Sequence, residues 1–490
     1  MNRNRGEIFK ELKRLVEFSD SYFEDCIFNP FQIMISELFI KVVKEINADT
    51  ERSEKIQISY FEYFRIKLKR IKDRFVYGLY FQPHSKHYPI LFLPTEPTHL
   101  NQIKPILNNL KRQSVEFLVV TNRLPLHRLL KLEFKSIFLP SEIFERQTVH
   151  KRQIIEQTRL AISSFRGSNE FLPLDFIYES ICTEISNKIE LYFQLESLIN
   201  KFSPKSIFVG NDTTLEGRMM TFLCRKFSGI KSFCIMHGSV TGEPLDTYHQ
   251  VDCFFLYGKA AMEDLVRNGM SSDRLKISGA PYLDDLKLSK DKVLDSEIKS
   301  KVGLTDEKPY ILVTNSGPGH STSSSHYSKI LDTIFETAMN FNEVQWVIKL
   351  HRKDSLQNFR QVIGKYPSHD IKIISSDDEA SSISIYKWIQ GATCIITGAS
   401  TVAIEAMAID IPVITMDLNG EYSNVDFIDQ LATVHVTSLA ELNTAVTNLL
   451  NNKILYDHIF QNSKKYSQKY FYKGIATSTE IISEELLKTS

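Results

Sequence analysis

Along most of this chain, short unbroken apolar runs alternate with stretches in which apolar residues recur at every third or fourth position, and polar or small-residue turns separate them. The first run is Ile90-Leu91-Phe92-Leu93, which stops at Pro94. A polar loop over residues 95–99 follows, and then Leu100, Ile103, Ile106, Leu107 and Leu110 mark one face of a helix. A second run, residues 115–120, is halted by Thr121-Asn122-Arg123. Short apolar runs bounded by turn residues read as strands buried on both faces, and the longer period reads as helix. Strand, helix and strand joined by short loops predict a parallel sheet starting near residue 88. The same grammar predicts strands at 206–209, 232–236, 251–256 and 275–278, with helices from Leu215 and over 260–268. A second series follows, with strands at 310–314, 344–350, 371–374, 394–396, 411–416 and 434–436 and helices over 327–341, 383–390 and 439–450.

The expected architecture is α/β, with two Rossmann-like doubly wound domains that face a cleft. Residues 1–85 form a helical N-terminal extension and 86–285 the first domain. Residues 286–307 form a charged linker, 308–455 the second domain, and 456–490 C-terminal helices. Most strands end in Gly, Asn, Asp or His, the residue types of loops that converge on a ligand, and in such sheets ligands sit beyond the carboxyl ends of the strands.

Composition adds exclusions. At 490 residues the chain is too long for one ordinary core, and 42% hydrophobic with 24% charged residues is globular. Lys+Arg and Asp+Glu both number 59, so no global field points to nucleic acid. The six cysteines form no CxxC and sit mostly in apolar runs, as reduced core thiols do. No run reaches the roughly 18–20 apolar residues that span a bilayer, and the charged start MNRNRGEIFKELKR has no apolar signal core, so a cytoplasmic protein is expected. Two stretches mix basic and aromatic residues, 61–75 and 464–473. They are read either as solvated helix faces or as peripheral contact with the inner face of the cell membrane.

The densest candidate chemistry lies in CIITGASTVAIEAMAIDIPVITMD, residues 394–417: a strand, a small-residue turn, a helix and a strand. A turn of Gly398, Ser400 and Thr401 at a helix N-terminus offers backbone N–H groups, the positive dipole end and two hydroxyls to a phosphate. Glu405 lies one helical turn further on and could accept from sugar hydroxyls. The plainer alternative is that Ser400 or Thr401 only caps the helix and Glu405 is a surface acid. The loop after strand 310–314 contains Asn315, Ser316 and Gly317, and Lys349, His351 and Arg352 cluster at the end of strand 344–350. His320 and His326 flank a serine run as loop residues, not metal ligands. In the first domain, His237 ends a strand before Gly238, Asp212 follows strand 206–209 as a candidate base or a turn former, and Glu96, Thr98 and His99 lie in the first loop.

Taken together, ILFLPTEPTHLNQIKPILNNLK, SFCIMHG, VDCFFLYGKAAMEDLVRNGMSSDRLKISGAP, VIKLHRKD and TGASTVAIEA resemble GT-B glycosyltransferases. Within that plan they look like bacterial surface-polysaccharide, capsular and teichoic-acid (glycerophosphotransferase-like) transferases, and UDP-N-acetylglucosamine 2-epimerases share it. The resemblance covers roughly residues 88–450. It implies an inverting, metal-independent transferase that moves a sugar from a nucleotide-activated donor to a surface polysaccharide or lipid-linked glycan. No cofactor is implied, because the nucleotide-sugar is a substrate. His237 would be the general base, with Asp212 the rival carboxylate, and Glu96, Thr98 and His99 would lie on the acceptor side. Asn315, Ser316, Gly317, Lys349, His351, Arg352, Gly398, Ser400, Thr401 and Glu405 would hold the donor. No Asp-x-Asp occurs, and Arg352 stands where the family usually has Pro. Two alternatives stay open: a 2-epimerase or nucleotide-sugar hydrolase, with Glu96, Asp212 and Glu405 as its acids, or a non-catalytic scaffold on the same plan.

Overall fold

The computed structural model describes residues 2–489 except 49–86, 123–125, 128–129, 131–132, 140–146, 167–171, 237–243, 285–298, 301, 306, 316, 318–323, 352–353, 367–370, 376–377, 379, 381–382, 399, 421–425, 430 and 472–474. The chain divides into two compact units, 1–256 with 262–282 and 476–490, and 257–261 with 283–475.

The first unit opens with helices α1 (Asn2–Ser19) and α2 (Pro30–Ala48). Its sheet then begins with β1 (Ile90–Leu93), α3 (Pro97–Arg112), β2 (Phe117–Thr121) and β3 (Ser136–Phe138). Two long helices, α4 (Gln147–Ser164) and α5 (Leu174–Phe202), intervene before β4 (Ser206–Val209), α6 (Leu215–Lys226), β5 (Lys231–Ile235), β6 (Cys253–Leu256), α7 (Lys259–Arg267) and β7 (Leu275–Ile277). The seven strands are all parallel, in the order β3-β2-β1-β4-β5-β6-β7. A parallel sheet must be covered on both faces, which is why ILFL, SIFV and CFFL are apolar throughout and fully buried.

The N-terminal helices are built into this unit. Phe9 of α1 packs edge-on to Phe39 of α2 at 5.3 Å and to Tyr248 at 5.7 Å. Lys188 of α5, almost wholly buried, pairs with Glu37 of α2 at 2.8 Å, and Arg218 of α6 donates to Ser36 Oγ at 3.1 Å.

The second unit runs β8 (Tyr310–Thr314), α8 (Ser324–Met339), β9 (Gln345–Lys349), α9 (Arg360–Lys365), β10 (Ile371–Ile374), α10 (Ile385–Gly391), β11 (Cys394–Thr397), α11 (Thr401–Ala408), β12 (Val413–Met416), α12 (Asp426–Asp429), β13 (Val434–Val436), α13 (Leu439–Asn451) and α14 (Lys453–Tyr470). Its six parallel strands take the order β10-β9-β8-β11-β12-β13. The chain then returns to the first unit as α15 (Ser478–Leu487). There Glu485 pairs with Lys276, and Asn109 of α3 donates to Ser483 Oγ at 3.0 Å. The expected plan of two parallel α/β units with a helical N-terminal region is present.

Several sequence expectations need revision. Residues 97–99 are not loop but the first turn of α3: Pro97 suits the first helical position, and Glu96 with His99 closes a capping box. His326 is a buried residue in the first turn of α8, not a loop histidine. In 464–473, Tyr466, Tyr470 and Phe471 are buried, with Tyr466 against Phe427, so these three aromatics are core. Residues 61–75 and most of 286–307 lie outside the described residues. All six cysteines are free, and no helix among the described residues is long and apolar enough to cross a membrane.

Two glycines give opposite expectations. A Cβ on Gly258 would lie 2.0 Å from the carbonyl oxygen of Tyr470, a backbone atom that cannot swing aside. Gly364, within α9, has open space around it. Gly258→Ala is expected to lower stability by about 1–3 kcal/mol through overpacking. Gly364→Ala is expected to be neutral or to stabilise by up to about 1 kcal/mol, because Ala is the better helix former. Urea unfolding of the two variants checks both signs.

Candidate functional site

In the second unit, β8 lies between β9 and β11, so the strand order reverses at the β8–β11 pair, with Thr314 level with Thr397. The loops that leave two such strands diverge and leave a crevice beyond their carboxyl ends, the usual ligand position in a doubly wound sheet. Asn315 and Gly317 follow β8, and Gly398 and Ser400 follow β11. Gly317 has φ +73°, a left-handed conformation that suits glycine. Ser400 is extended, at φ −132° and ψ 150°, and its Oγ accepts from the backbone N–H of Val402 at 3.3 Å, so it caps α11. The cap role therefore holds, and it sets the positive end of α11 at the crevice.

Three further side chains shape this edge. Thr314 Oγ1 and Asn315 Nδ2 are shielded from solvent and have no hydrogen-bond partner among the described residues. Buried polar groups are nearly always paired, so a hydroxyl and an amide donor left open at the switch point suit an acceptor from outside the chain. Glu405 is 7% exposed on α11, and Tyr386 of α10 donates to its Oε1 at 3.2 Å. It is a buried, oriented carboxylate and not the surface acid of the plainer alternative.

Lys349 ends β9 half-buried, and burial lowers its pKa below the ordinary lysine value. His351 is exposed beyond it. Ser316 and Arg352 lie outside the described residues. The structure thus brings Asn315, Gly317, Gly398, Ser400, Thr401 and Glu405 to adjacent strand ends, with Lys349 and His351 one strand further along.

The first unit has its own reversal, between β1 and β4, and treats it differently. His99 is buried, and its Nδ1 accepts from the backbone N–H groups of Thr95 and Glu96, each at 3.3 Å. Its ring lies against Gly210, where a Cβ would come within 2.5 Å of Nδ1. Imidazole fills that crevice, while Glu96 is partly exposed and Thr98 exposed.

Asp212 is fully buried. Its Oδ1 accepts from His249 Nδ1, and its Oδ2 accepts from the backbone N–H of Gln250 at 2.6 Å and of Val251 at 3.3 Å. Burial alone would raise its pKa, but His249 and then Arg218 outweigh that and hold it down at about 2. The carboxylate clamps the start of α6 to the entry of β6. His249 stacks on Phe254 with ring centroids 3.8 Å apart, and its carbonyl accepts from Arg274 at 3.2 Å. His237 lies outside the described residues.

Sequence reading missed His249, although it stands directly before the apolar run 251–256. It also missed a pair at the carboxyl edge of the first sheet, where Asn122 Nδ2 donates to Glu216 Oε1 at 2.7 Å. Among the described residues, no three His, Cys, Asp or Glu side chains gather as a metal site.

The family model for UDP-N-acetylglucosamine 2-epimerase matches residues 247–481, from just before β6 through the whole main segment of the second unit. No curated protein matches the chain. Among solved structures, the Neisseria meningitidis UDP-GlcNAc 2-epimerase bound to UDP-GlcNAc is similar at 15% identity and a TM-score of 0.56, over 82% of this chain and 100% of that one. The S. aureus MnaA–UDP co-structure gives 16% and 0.53, over 81% and 94% of the two chains. Anabaena HepE in complex with UDP and glucose gives 12% and 0.50, over 82% and 100%. At these identities the likeness is one of fold, and the fold is that of GT-B epimerases and glycosyltransferases.

Removing the Asp212 carboxylate leaves two backbone N–H groups, His249 and Arg218 without their buried anion. Asp212→Ala is expected to destabilise the protein by about 3 kcal/mol or more. Because the folded pKa is depressed, this contribution is present at neutral pH and fades as pH falls from roughly 4 toward 2. Urea titrations at pH 7 and pH 3 should show a gap between wild type and variant that narrows in acid. An equal gap at both pH values would contradict this assignment.

Proposed function

We propose that this chain is a nucleotide-sugar enzyme whose second unit binds the nucleoside diphosphate at the β8–β11 switch point. The observation that carries the reading is the convergence there of the N-terminus of α11, the solvent-shielded donors Thr314 Oγ1 and Asn315 Nδ2, and the buried carboxylate Glu405. Backbone N–H groups, a hydroxyl and an amide suit the oxygens of a diphosphate, and an oriented carboxylate suits ribose or sugar hydroxyls. Lys349 and His351 stand one strand away, where cationic or N–H groups would stabilise charge on a departing nucleoside phosphate. The GT-B-like structures solved with UDP or UDP-GlcNAc support the same ligand class.

Within that class, we read the reaction as transfer of the sugar to a glycan or lipid-linked acceptor, inverting and without a metal, with His237 as the base that deprotonates the acceptor hydroxyl. Imidazole titrates near neutrality, which suits it to that step. The second reading, a 2-epimerase, is favoured by the family match over 247–481. Against it, a chemistry that needs several acids around the sugar finds Asp212 already committed to His249 and the β6 backbone.

A thermal-shift panel with UDP, GDP, CDP, CMP and dTDP, with and without EDTA, tests the class. A ligand at a hundredfold excess over its Kd stabilises the native state by about 2.7 kcal/mol. One nucleotide is expected to raise the melting temperature whether or not EDTA is present. Silence across the panel would sink the nucleotide reading and favour a scaffold. The Ser400→Ala/Thr401→Ala double variant should lose the nucleotide-induced shift beyond the roughly 1 kcal/mol that a lost helix cap costs the free protein. His237→Ala should keep the shift and lose transfer. Consumption of the nucleotide-sugar with no acceptor present would decide for the epimerase or hydrolase reading.

A further inference from the structure

Asp354 takes no part in the proposed nucleotide chemistry, yet its carboxylate holds three donors at the carboxyl edge of the second sheet. It follows β9 by five residues and is 8% exposed. Its Oδ1 accepts from the backbone N–H of Ser355 at 2.8 Å and from Asn358 Nδ2 at 2.7 Å. Its Oδ2 accepts from the phenol of Tyr327, and its own N–H donates to the carbonyl of His351 at 2.8 Å. Gly317 presses on the same carboxyl: a Cβ there would lie 2.8 Å from Asp354 Cγ and 3.1 Å from Oδ1.

These contacts fall on both shoulders of one loop. Gly317 comes just after β8, and Tyr327 lies in the first turn of α8, so the end of β8 and the start of α8 both meet Asp354. The third attachment, through His351, belongs to the loop after β9. We propose that Asp354 is the positioning residue that ties Gly317 after β8 and Tyr327 at the start of α8 to His351 and Ser355 after β9, and so sets the diphosphate donors of this unit. A buried carboxylate does this well, because ionised acceptors make the stronger hydrogen bonds and its oxygens can hold three donors at once. Gly317 is required because any side chain would push the β8 turn off the carboxyl. The binding consequence rests on the nucleotide reading; the loop coupling does not.

The test compares wild type, Asp354→Ala and Asp354→Asn by amide hydrogen exchange of the full chain without ligand, and by UDP titration. Asp354→Ala should raise exchange in residues 312–317 and 324–330 as well as in 349–358, with the first unit unchanged. Asp354→Asn should keep most of the protection, because its amide oxygen still serves Ser355 and Asn358 while its NH2 can donate to the Tyr327 oxygen. UDP affinity should fall roughly tenfold or more in Asp354→Ala, the weight of one hydrogen bond to a charged group, and recover in Asp354→Asn. Exchange that rises only in 349–358 would overturn the coupling. If Asp354→Ala unfolds the second unit, Tyr327→Phe, which deletes a single bond, must loosen residues 312–317, and unchanged protection there overturns the proposal. Wild type that ignores UDP defeats the nucleotide reading, while the exchange result still decides the role of Asp354.

Discussion

Every strand pair described in this protein is parallel, and that constraint decides where its polar chemistry can collect. Parallel strands all deliver their carboxyl ends to one edge, and each must be followed by a crossover that covers a face of the sheet. Polar residues are then expelled from the strands and gathered at the edge. The chain can reverse its order of strand addition once per sheet, and it does so between β1 and β4 and between β8 and β11. Those two places are where neighbouring loops part. The two edges are topological equivalents, yet their side chains make them different objects. At β8–β11, Thr314 Oγ1 and Asn315 Nδ2 have no hydrogen-bond partner among the described residues, and α11 begins at the next strand end. At β1–β4 the crevice holds an imidazole whose Nδ1 is already bonded to two backbone N–H groups.

Buried polar side chains tie the first unit together. In the first unit, Asp212, His249, Arg218 and Lys188 are all buried, and their interactions tie α6, the β6 entry and the N-terminal helices to one another. Burying ions is tolerable only when each is paired or stacked, and Arg218 meets this with Ser36, the Tyr248 ring at 4.8 Å and the nearby Asp212 charge. Helices α1 and α2 supply part of that pairing. They are therefore structural members of the first unit.

Much of the fold was legible because strands buried on both faces leave continuous apolar runs. Ile90–Leu93, Ser206–Val209, Tyr310–Thr314 and Ile371–Ile374 were bounded by sequence as they stand in the structure. Strand β3 escaped because it is short and only half-buried, and α4 and α5 went unassigned because no strand among the described residues of 139–205 frames them. The adjacency of Asn315 and Ser400 could be inferred, since consecutive strand ends of one sheet share an edge. The pairing of Asp212 with His249 and of Asp354 with Tyr327 could not. Those contacts span 37 and 27 residues and depend on side-chain directions that periodicity does not encode.

The contrast between the two edges also bears on where a nucleotide could bind. For the first unit to accept a diphosphate at β1–β4, the His99 ring would have to leave, and with it the hydrogen bonds that hold Thr95 and Glu96. The space is already so tight that even a methyl on Gly210 would collide with the ring. Displacing a buried, doubly bonded imidazole forfeits those bonds before any ligand contact forms. Among the described residues no comparable obstacle stands at β8–β11, where the unpaired groups are donors and an anionic oxygen would complete them. The asymmetry agrees with the proposed placement of the diphosphate in the second unit.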